Sequence, residues 1–452
     1  MYGYCRAGRP SAGAARWPLP SPWRRRGAKM KKPVIIANVT IADGIDPPRR
    51  ADVLMAGGRF AAIARPGELS GIEAERVEGG GKFLVPGLWE SHTHMMMGVD
   101  GSFENKVAGV KKALQTYLSR DITGVVDLGC PEDVMNAVRT DIAAQPSDHP
   151  SFYFAGPVFT GVNGWPLCMT CDHTSSWEIT PDSPVEAMVE SLAGKTDFIK
   201  IIYDGLPGGT DKFPAMSLAR VIRAAHGGGK RVMVHVRSKT DIVEAVEAGA
   251  DCIEHIFQPK NPENLDEAEE AAELMARHGV FWCPTVVTYE QIGHLGSIAY
   301  LERLRRDGIV TLGEMALTGL NPFFHHSFPR VSSEEGIARL DYSLATLRLF
   351  ADRGVRIVAG SDIAIAMSRP GAVLRELQLF AQAGLDPAAI IRSATADAAA
   401  RLGLPEGTAA IAEGSMADAV LLDADPLASI DALVRPEHVE TVFKAGVAVS
   451  AR

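Results

Sequence analysis

Apolar and polar positions divide the chain into a β-rich start, a long alternating middle and a β-rich end. In the middle, short apolar runs lie in the stretch 84–94 and at 122–128, 152–155, 198–202, 231–235, 252–255, 280–284 and 356–359. Between them apolar residues return every three or four positions, as at 216–225 and 241–248, which is the period of a helix with one buried face. Near-continuous apolar strands alternating with helices predict a parallel sheet covered on both faces. Eight such units favour closure into an α/β (β/α)8 TIM barrel over an open sheet. The ends read differently. Strands at 34–41, 51–55 and 59–63 are turned by Gly57-Gly58, and further short strands lie at 417–423, 439–443 and 447–449. Two β-rich ends predict a small composite β-sandwich domain built from both termini, 33–87 with 412–452, leaving 88–411 for the barrel. Two long insertions interrupt the repeat, 156–197 and 285–355, and insertions on the catalytic face of a barrel commonly form lids and specificity walls.

Composition narrows the partners. A mean hydropathy of +0.03 over 452 residues is that of a globular protein with ample core. The formal net charge of -9, with no basic stripe beyond the N-terminus, argues against nucleic acid. No apolar run approaches the ~18 residues that a membrane helix needs. Residues 1–32 mix Arg, Pro and Gly without periodicity, so they read as a disordered or non-native extension, with Met30 an alternative start. Cys130, Cys252 and Cys283 sit in or beside apolar runs as small hydrophobes, and Cys168, Cys171 and His173 make half of a zinc site with no second pair at finger-like spacing. Such cysteine usage fits a reducing, cytoplasmic setting.

Candidate chemistry collects at the ends of the apolar runs. In a strand, residues i and i+2 face the same side, so His92 and His94 aim at one point, as a metal pair would. Two unrelated surface histidines are the bland alternative. Lys200 stands in the middle of Phe198-Ile199-Lys200-Ile201-Ile202, where a charge is costly unless removed or paired. It is either a snorkelling or ion-paired lysine, or a modified one that ligates metal. His235 and His255 end consecutive strands, and Asp362 ends the last one, where it is either a ligand or a helix N-cap.

In type and order these residues resemble the amidohydrolase superfamily. The flanking phrases agree: Val85-Pro86-Gly87-Leu88, Gly249-Ala250-Asp251-Cys252-Ile253-Glu254-His255, Gly360-Ser361-Asp362 and Gly414-Ser415-Met416-Ala417-Asp418. The strand carrying Lys200 is most similar to the imidazolonepropionase-like branch that includes Xaa-Pro dipeptidases. The resemblance covers roughly residues 33–450. It implies two divalent metal ions, most often zinc, with His92, His94 and Asp362 on the first and His235 and His255 on the second. Lys200 would bridge them as a CO2-derived carbamate. A bridging hydroxide would be the nucleophile, and Asp362 the general base and acid. The chain departs from the branch after strand three. Peptidase members often carry a Gly-Gly-His loop there, whereas Trp165 stands in that place in Gly161-Val162-Asn163-Gly164-Trp165-Pro166. Trp165 is either a packed loop residue or one wall of a more aromatic pocket.

These features predict hydrolysis of an amide-type bond in a small molecule, such as an N-acyl amino acid or dipeptide. The same metals could serve an ester, lactone, carbamate or phosphoester, and a silent binding scaffold is the reading from another class. Tyr203, Arg237 and Arg369 are candidate substrate contacts, and the pair His325-His326 is placed on an insertion surface. A closed homo-oligomer is the default assembly.

Overall fold

The structure, a computed structural model, describes residues 32–96, 99, 101–167, 173–205, 212–261, 264–294, 297–315, 333–362 and 370–449. The chain opens with β1 (Val34–Ile41), β2 (Arg49–Ala56), β3 (Arg59–Ala64), β4 (Glu75–Glu78) and β5 (Phe83–Pro86). Nine strands follow: β6 (Leu88–Thr93), β7 (Ile122–Asp127), β8 (Ser151–Phe154), β9 (Val158–Thr160), β10 (Ser176–Glu178), β11 (Ile199–Tyr203), β12 (Val232–Val236), β13 (Cys252–Glu254) and β14 (Phe281–Cys283). It closes with β15 (Ala419–Leu422), β16 (Val439–Lys444) and β17 (Val447–Val449).

The two ends of the chain share one eight-stranded sheet, in the order β17-β16-β15-β5-β1-β2-β3 with β4 beside β1. Antiparallel pairing of β15 with β5 joins the C-terminal half to the N-terminal half. The sheet curls on itself, since Phe60 N–H donates to the Ser415 carbonyl and Gly414 N–H to that of Phe60. Ile36, Val53, Phe60, Leu84, Leu421 and Phe443 fill its core.

The middle is mixed α/β with parallel strands. One sheet runs β6-β7-β8, the other β10-β9-β11-β12-β13-β14. Backbone hydrogen bonds pass between them, from Asp197 to Phe154 on one side. On the other, residues 356–359 bond to both: Val358 N–H donates to Trp282 O, and Ser91 N–H to Ala359 O. All eight runs read as strands are present, the last as a single bridge from Ile357 to Trp282. The first insertion adds β9 and β10, which its Trp- and Pro-containing text did not announce. Helices stand where the 3.6-residue period places them, at Ala215–Gly227 and Lys239–Ala248. Ser238 caps the latter, reciprocated by Asp241, and Gly249 at φ 100° ends it. The described part of the second insertion holds the helices Val286–Gly293, Ile298–Arg306 and Ser333–Asp352. Among the described residues no helix is long and apolar enough to cross a membrane.

Alternation along each parallel strand divides its side chains between two cores. Ile199, Ile201 and Tyr203 join the core shared with the surrounding helices. Phe198 joins the other, with Met233, Cys252, Phe281 and Val358 from neighbouring strands. Gly360 is the point of closest approach between the last strand segment and β6. A Cβ there would lie 2.7 Å from Cys283 Sγ and 2.8 Å from His92 Cβ. Gly360→Ala is therefore expected to push these elements apart and lower stability by about 1–3 kcal/mol, read as a lower midpoint in urea; an unchanged midpoint would show that the contact relaxes freely.

Candidate metal centre

Four imidazoles, one amine and one carboxylate meet at the C-terminal ends of the parallel strands. The rings of His92 and His94 are 5.4 Å apart, those of His92 and His255 4.7 Å, and those of His235 and His255 4.5 Å. Asp362 Oδ1 lies 3.2 Å from His94 Nε2 and 3.5 Å from His92 Nε2, and Asp362 Oδ2 lies 3.8 Å from His255 Nδ1. Ligand atoms of His92, His94 and Asp362 all fall within 4.8 Å of one another, the span of a single metal site. The structure thus brings these imidazoles and Asp362 together although His92 and Asp362 stand at opposite ends of the strand repeat.

Strand alternation alone does not bring all of them in. β13 ends at Glu254, which faces the interior, so a continued strand would turn His255 away. His255 instead adopts φ 71°, which keeps its ring on the inner side. Asp362 does the same at φ 50°, after its own strand segment, and Thr285 follows β14 at φ 51°. Thr285 Oγ1 lies 2.8 Å from His255 Nδ1 and fixes that ring.

Electrostatics sorts the charges. Burial pushes the Lys200 amine below its ordinary range despite the nearby carboxylates of Glu254 and Asp362. Burial, aided by Lys200, lowers His92 to about 4, and burial likewise holds His255 far below its usual value. Burial works against the Asp362 anion, yet His92, His94 and His255 together hold its carboxyl well down. Burial thus favours the uncharged form of His92 and His255 beside one ionised carboxylate, and imidazoles with a carboxylate are the donor chemistry of a divalent metal site. Two of its atoms, Lys200 Nζ and His92 Nε2, are buried with no hydrogen-bond partner among the described residues.

A second layer that the sequence reading did not single out orients the first. His92 Nδ1 lies 2.7 Å from Glu254 Oε2, and Glu254 Oε1 accepts from Arg401 at 2.9 Å; all three side chains are fully buried. An ionised carboxylate only accepts, so the proton sits on Nδ1, and the Nε2 lone pair faces the centre. Arg401 also donates to the Ser91 carbonyl. Glu90 accepts from the backbone N–H of His92 and of Ser361, each at 2.9 Å, and so ties the first ligand strand to the last. Asp127 accepts from Met95 N–H at 2.7 Å. Asp204 Oδ2 lies 3.3 Å from His235 Nε2, and its Oδ1 has no hydrogen-bond partner among the described residues.

Not every expected contact is in place. Tyr203 belongs to the outer face of β11, where its hydroxyl donates to Glu244 and Lys212 lies 4.5 Å from its ring centre. The reason is the period of the strand: three residues from Lys200 is the opposite face, and Asp204 takes the inner position instead. Arg237 is at the mouth, 3.7 Å from Asp204 Oδ2 and within reach of Gln258. Trp165 is half-buried, and its carbonyl accepts from Thr160 Oγ1 at 2.8 Å within its own loop. Cys168, Cys171, His325, His326 and Arg369 lie outside the described residues.

Residues 83–449 match the sequence profile of the Amidohydrolase family. Curated relatives include an uncharacterized protein of Mycobacterium tuberculosis, 26% identical over 235 residues that make up 48% of this chain and 55% of that protein. Another is the ochratoxinase of Aspergillus niger, 26% identical over 238 residues, 52% of this chain and 41% of that protein. The chain thus spans about half the length of the curated relatives it matches. Among solved structures, a Xaa-Pro dipeptidase with methionine bound in its active site superposes with a TM-score of 0.71 at 20% identity, over 93% of this chain and 100% of that one. A molinate hydrolase superposes with a TM-score of 0.70 at 18% identity, over 94% and 96%. At these identities the structural likeness is one of fold.

Two outcomes follow from the second layer. Arg401→Met leaves the Glu254 charge buried and unpaired, and is expected to cost about 3–5 kcal/mol; adding Glu254→Gln should recover part of that loss, as a urea double-mutant cycle would show. Glu376 accepts from Val286 N–H and Val287 N–H at the start of the helix that follows Thr285. Burial raises it from 4.5 to about 8 against the effect of those two donors. Between these values the folded chain keeps a proton that the unfolded chain has released, so stability falls as pH rises through the window. Glu376→Gln should flatten the fall in urea midpoint between pH 5 and pH 8.

Proposed function

The chain belongs to the amidohydrolase family, and on that premise we propose that it is a metal-dependent hydrolase of an amide-type bond, with an N-acyl amino acid, dipeptide or related small amide as substrate. The supporting fold is a closed (β/α)8 barrel. The hydrogen bonds that carry residues 356–359 from β14 to β6 support that closure. The observation that carries the functional reading is the pair of buried nitrogens Lys200 Nζ and His92 Nε2, neither with a hydrogen-bond partner among the described residues, near three further imidazoles and Asp362. Such atoms are costly to bury without a partner, and a bound cation supplies one.

His92, His94 and Asp362 would hold one divalent ion, and His235 and His255 a second, zinc being the expected metal. When bound, two such ions supply Lewis acidity and bring the pKa of water toward neutrality. Lys200 would join this ligand set as a carbamate. Burial lowers the basicity of its amine; as the free base it would add its electron pair to the carbon of CO2, a C–N bond forming as one C=O π pair moves onto oxygen and one N–H proton leaves to solvent, which gives an anionic carbamate. Asp362 takes a proton from the attacking water at Oδ1 or Oδ2 and passes it to the departing amine. Glu254 and Arg401 hold His92 in the tautomer that this needs. Arg237, beside Asp204 at the mouth, pairs with a substrate carboxylate.

The test is metal content together with turnover. Purified protein should carry about two equivalents of divalent metal per chain. Chelation should lower its melting temperature, with recovery on adding zinc and bicarbonate. Asp362→Asn should cut hydrolysis of an N-acyl amino acid panel by about 10²–10⁴-fold. Full activity after exhaustive chelation, or a melting temperature indifferent to metal, would overturn the reading.

A further inference from the structure

The two halves of the metal centre are unequally furnished. His92, His94 and Asp362 form a closed group of three donors, whereas among the described residues His235 and His255 stand in no such group. A catalytic zinc site commonly takes three protein ligands and keeps one position open. We infer that Asp204 is the missing donor, a ligand of the same divalent ion as His235 and His255 that lies outside the ligand set read from the sequence. The inference deepens the proposed metal-dependent reading and rests on it for the ion.

Position follows from the strand. Side chains two apart share a face, so Lys200, Ile202 and Asp204 lie on the inner side of β11. Ile202 pairs with His235 across β11 and β12, which puts Asp204 one inner position nearer the open end of the strands. Its carboxylate turns back from there to His235 and is buried, although the strand has already ended at Tyr203.

Distances separate two kinds of carboxylate–imidazole contact in this centre. His92 Nδ1 lies 2.7 Å from Glu254 Oε2, the length of a charge-assisted hydrogen bond. His94 Nε2 lies 3.2 Å from Asp362 Oδ1, and His92 Nε2 lies 3.5 Å from the same atom. With metal bonds of about 2.0–2.2 Å, two donors on one tetrahedral ion stand roughly 3.3–3.6 Å apart. His235 Nε2 and Asp204 Oδ2 are 3.3 Å apart and so belong with the second kind.

Hydrogen bonding points the same way. Asp204 Oδ1 is buried with no hydrogen-bond partner among the described residues. Oδ2 is approached by His235 and by Arg237 Nη1, the latter at 3.7 Å and so beyond hydrogen-bond length. A buried carboxylate oxygen without a donor is costly, and a cation satisfies it. Turning the carboxylate to close a group with His255 breaks no bond at Oδ1. Two imidazoles and a carboxylate would then repeat, on the second ion, the donor types of the first.

Metal titration of the full chain, with bicarbonate present, tests the ligand without requiring turnover. The metal-free protein is expected to take up two equivalents of zinc per chain. Asp204→Asn keeps the shape and an acceptor for His235 but removes the anionic donor. It should leave the affinity for one equivalent unchanged and weaken the other by at least about 100-fold. Asp204→Cys gives the direct reading, because a thiolate bound to cobalt(II) adds an intense charge-transfer band in the near ultraviolet. That band should appear in cobalt-loaded Asp204→Cys protein, beyond whatever the cobalt-loaded parent absorbs. A smaller loss of affinity in Asp204→Asn, or Asp204→Cys protein with two bound cobalt ions and no added band, would sink the inference. So would a parent protein that takes up only one equivalent. Should Asp204→Cys fail to fold or to bind cobalt, the Asp204→Asn titration decides alone. The two readings fail separately. An Asp204→Asn protein that keeps both zinc ions removes Asp204 from the ligands and leaves the hydrolase, whereas the added cobalt band without hydrolysis of any amide removes the hydrolase and leaves the ligand.

Discussion

Lys200 is 1% exposed, and its Nζ has no hydrogen-bond partner among the described residues. A protonated amine in that position would carry a desolvation penalty of several kcal/mol. The surrounding groups do not cancel it by direct pairing. Glu254, the nearest formal counter-charge in chemical terms, is already engaged by Arg401 and His92. Burial lowers the basicity of the amine, as it lowers that of His92 and His255 beside it. The imidazoles around Asp362 hold its carboxyl down, and the fully buried Glu254–Arg401 pair stands behind His92.

That buried pair explains why distant parts of the chain are needed. Arg401 caps a short helix, Ala396–Ala400, whose approach to β6 is secured by the Trp89 N–H bond to Ala394 O. From there it reaches Glu254 on β13 and the Ser91 carbonyl on β6. Glu90 performs a parallel function between β6 and Ser361. The ligands therefore sit on strands, and the strands are cross-tied beneath the ligands by buried charges rather than by apolar packing alone. Left-handed backbone at His255, Thr285 and Asp362 costs about 1–3 kcal/mol each, and such conformations persist only where the surroundings over-determine them. Here the His255 N–H bond to Cys283 O and the Thr288 hydroxyl bond to Ser361 O supply that constraint.

Much of this was legible from the written order of residues, and the reason is periodicity. A two-residue repeat brings His92 and His94 to one side, and the same rule puts Arg237 beside His235. Applied with equal strictness it assigns Asp204, not Tyr203, to the inner face of β11, so that misplacement reflects a rule set aside and not a missing signal. Other features carry no local mark. Nothing near Arg401 says that it will meet Glu254, since their pairing spans 147 residues and depends on how a helix returns across the sheet. Positive φ at Thr285 is equally silent, because a β-branched residue is rarely found there. β9 and β10, three residues each, are too short for any period to register.

The division of labour between strands and insertions has a physical basis. Proton transfer and ligation tolerate errors of a fraction of an ångström, so they belong on strand ends locked by neighbours on both sides. Choosing a substrate substituent tolerates more, and it gains from surfaces that change without disturbing the strands. The helices Val286–Gly293 and Ser333–Asp352 lie in an insertion of that kind. The first starts beside Thr285, whose hydroxyl lies 2.8 Å from His255 Nδ1, and Glu376 accepts from its Val286 N–H and Val287 N–H. The second crosses it where Gly336 meets Gly293, an approach so close that a Cβ on Gly336 would lie 2.3 Å from Gly293 Cα. The strand ends are thus joined to the insertion by hydrogen bonds at one helix start, and the two helices are joined to each other by backbone contact.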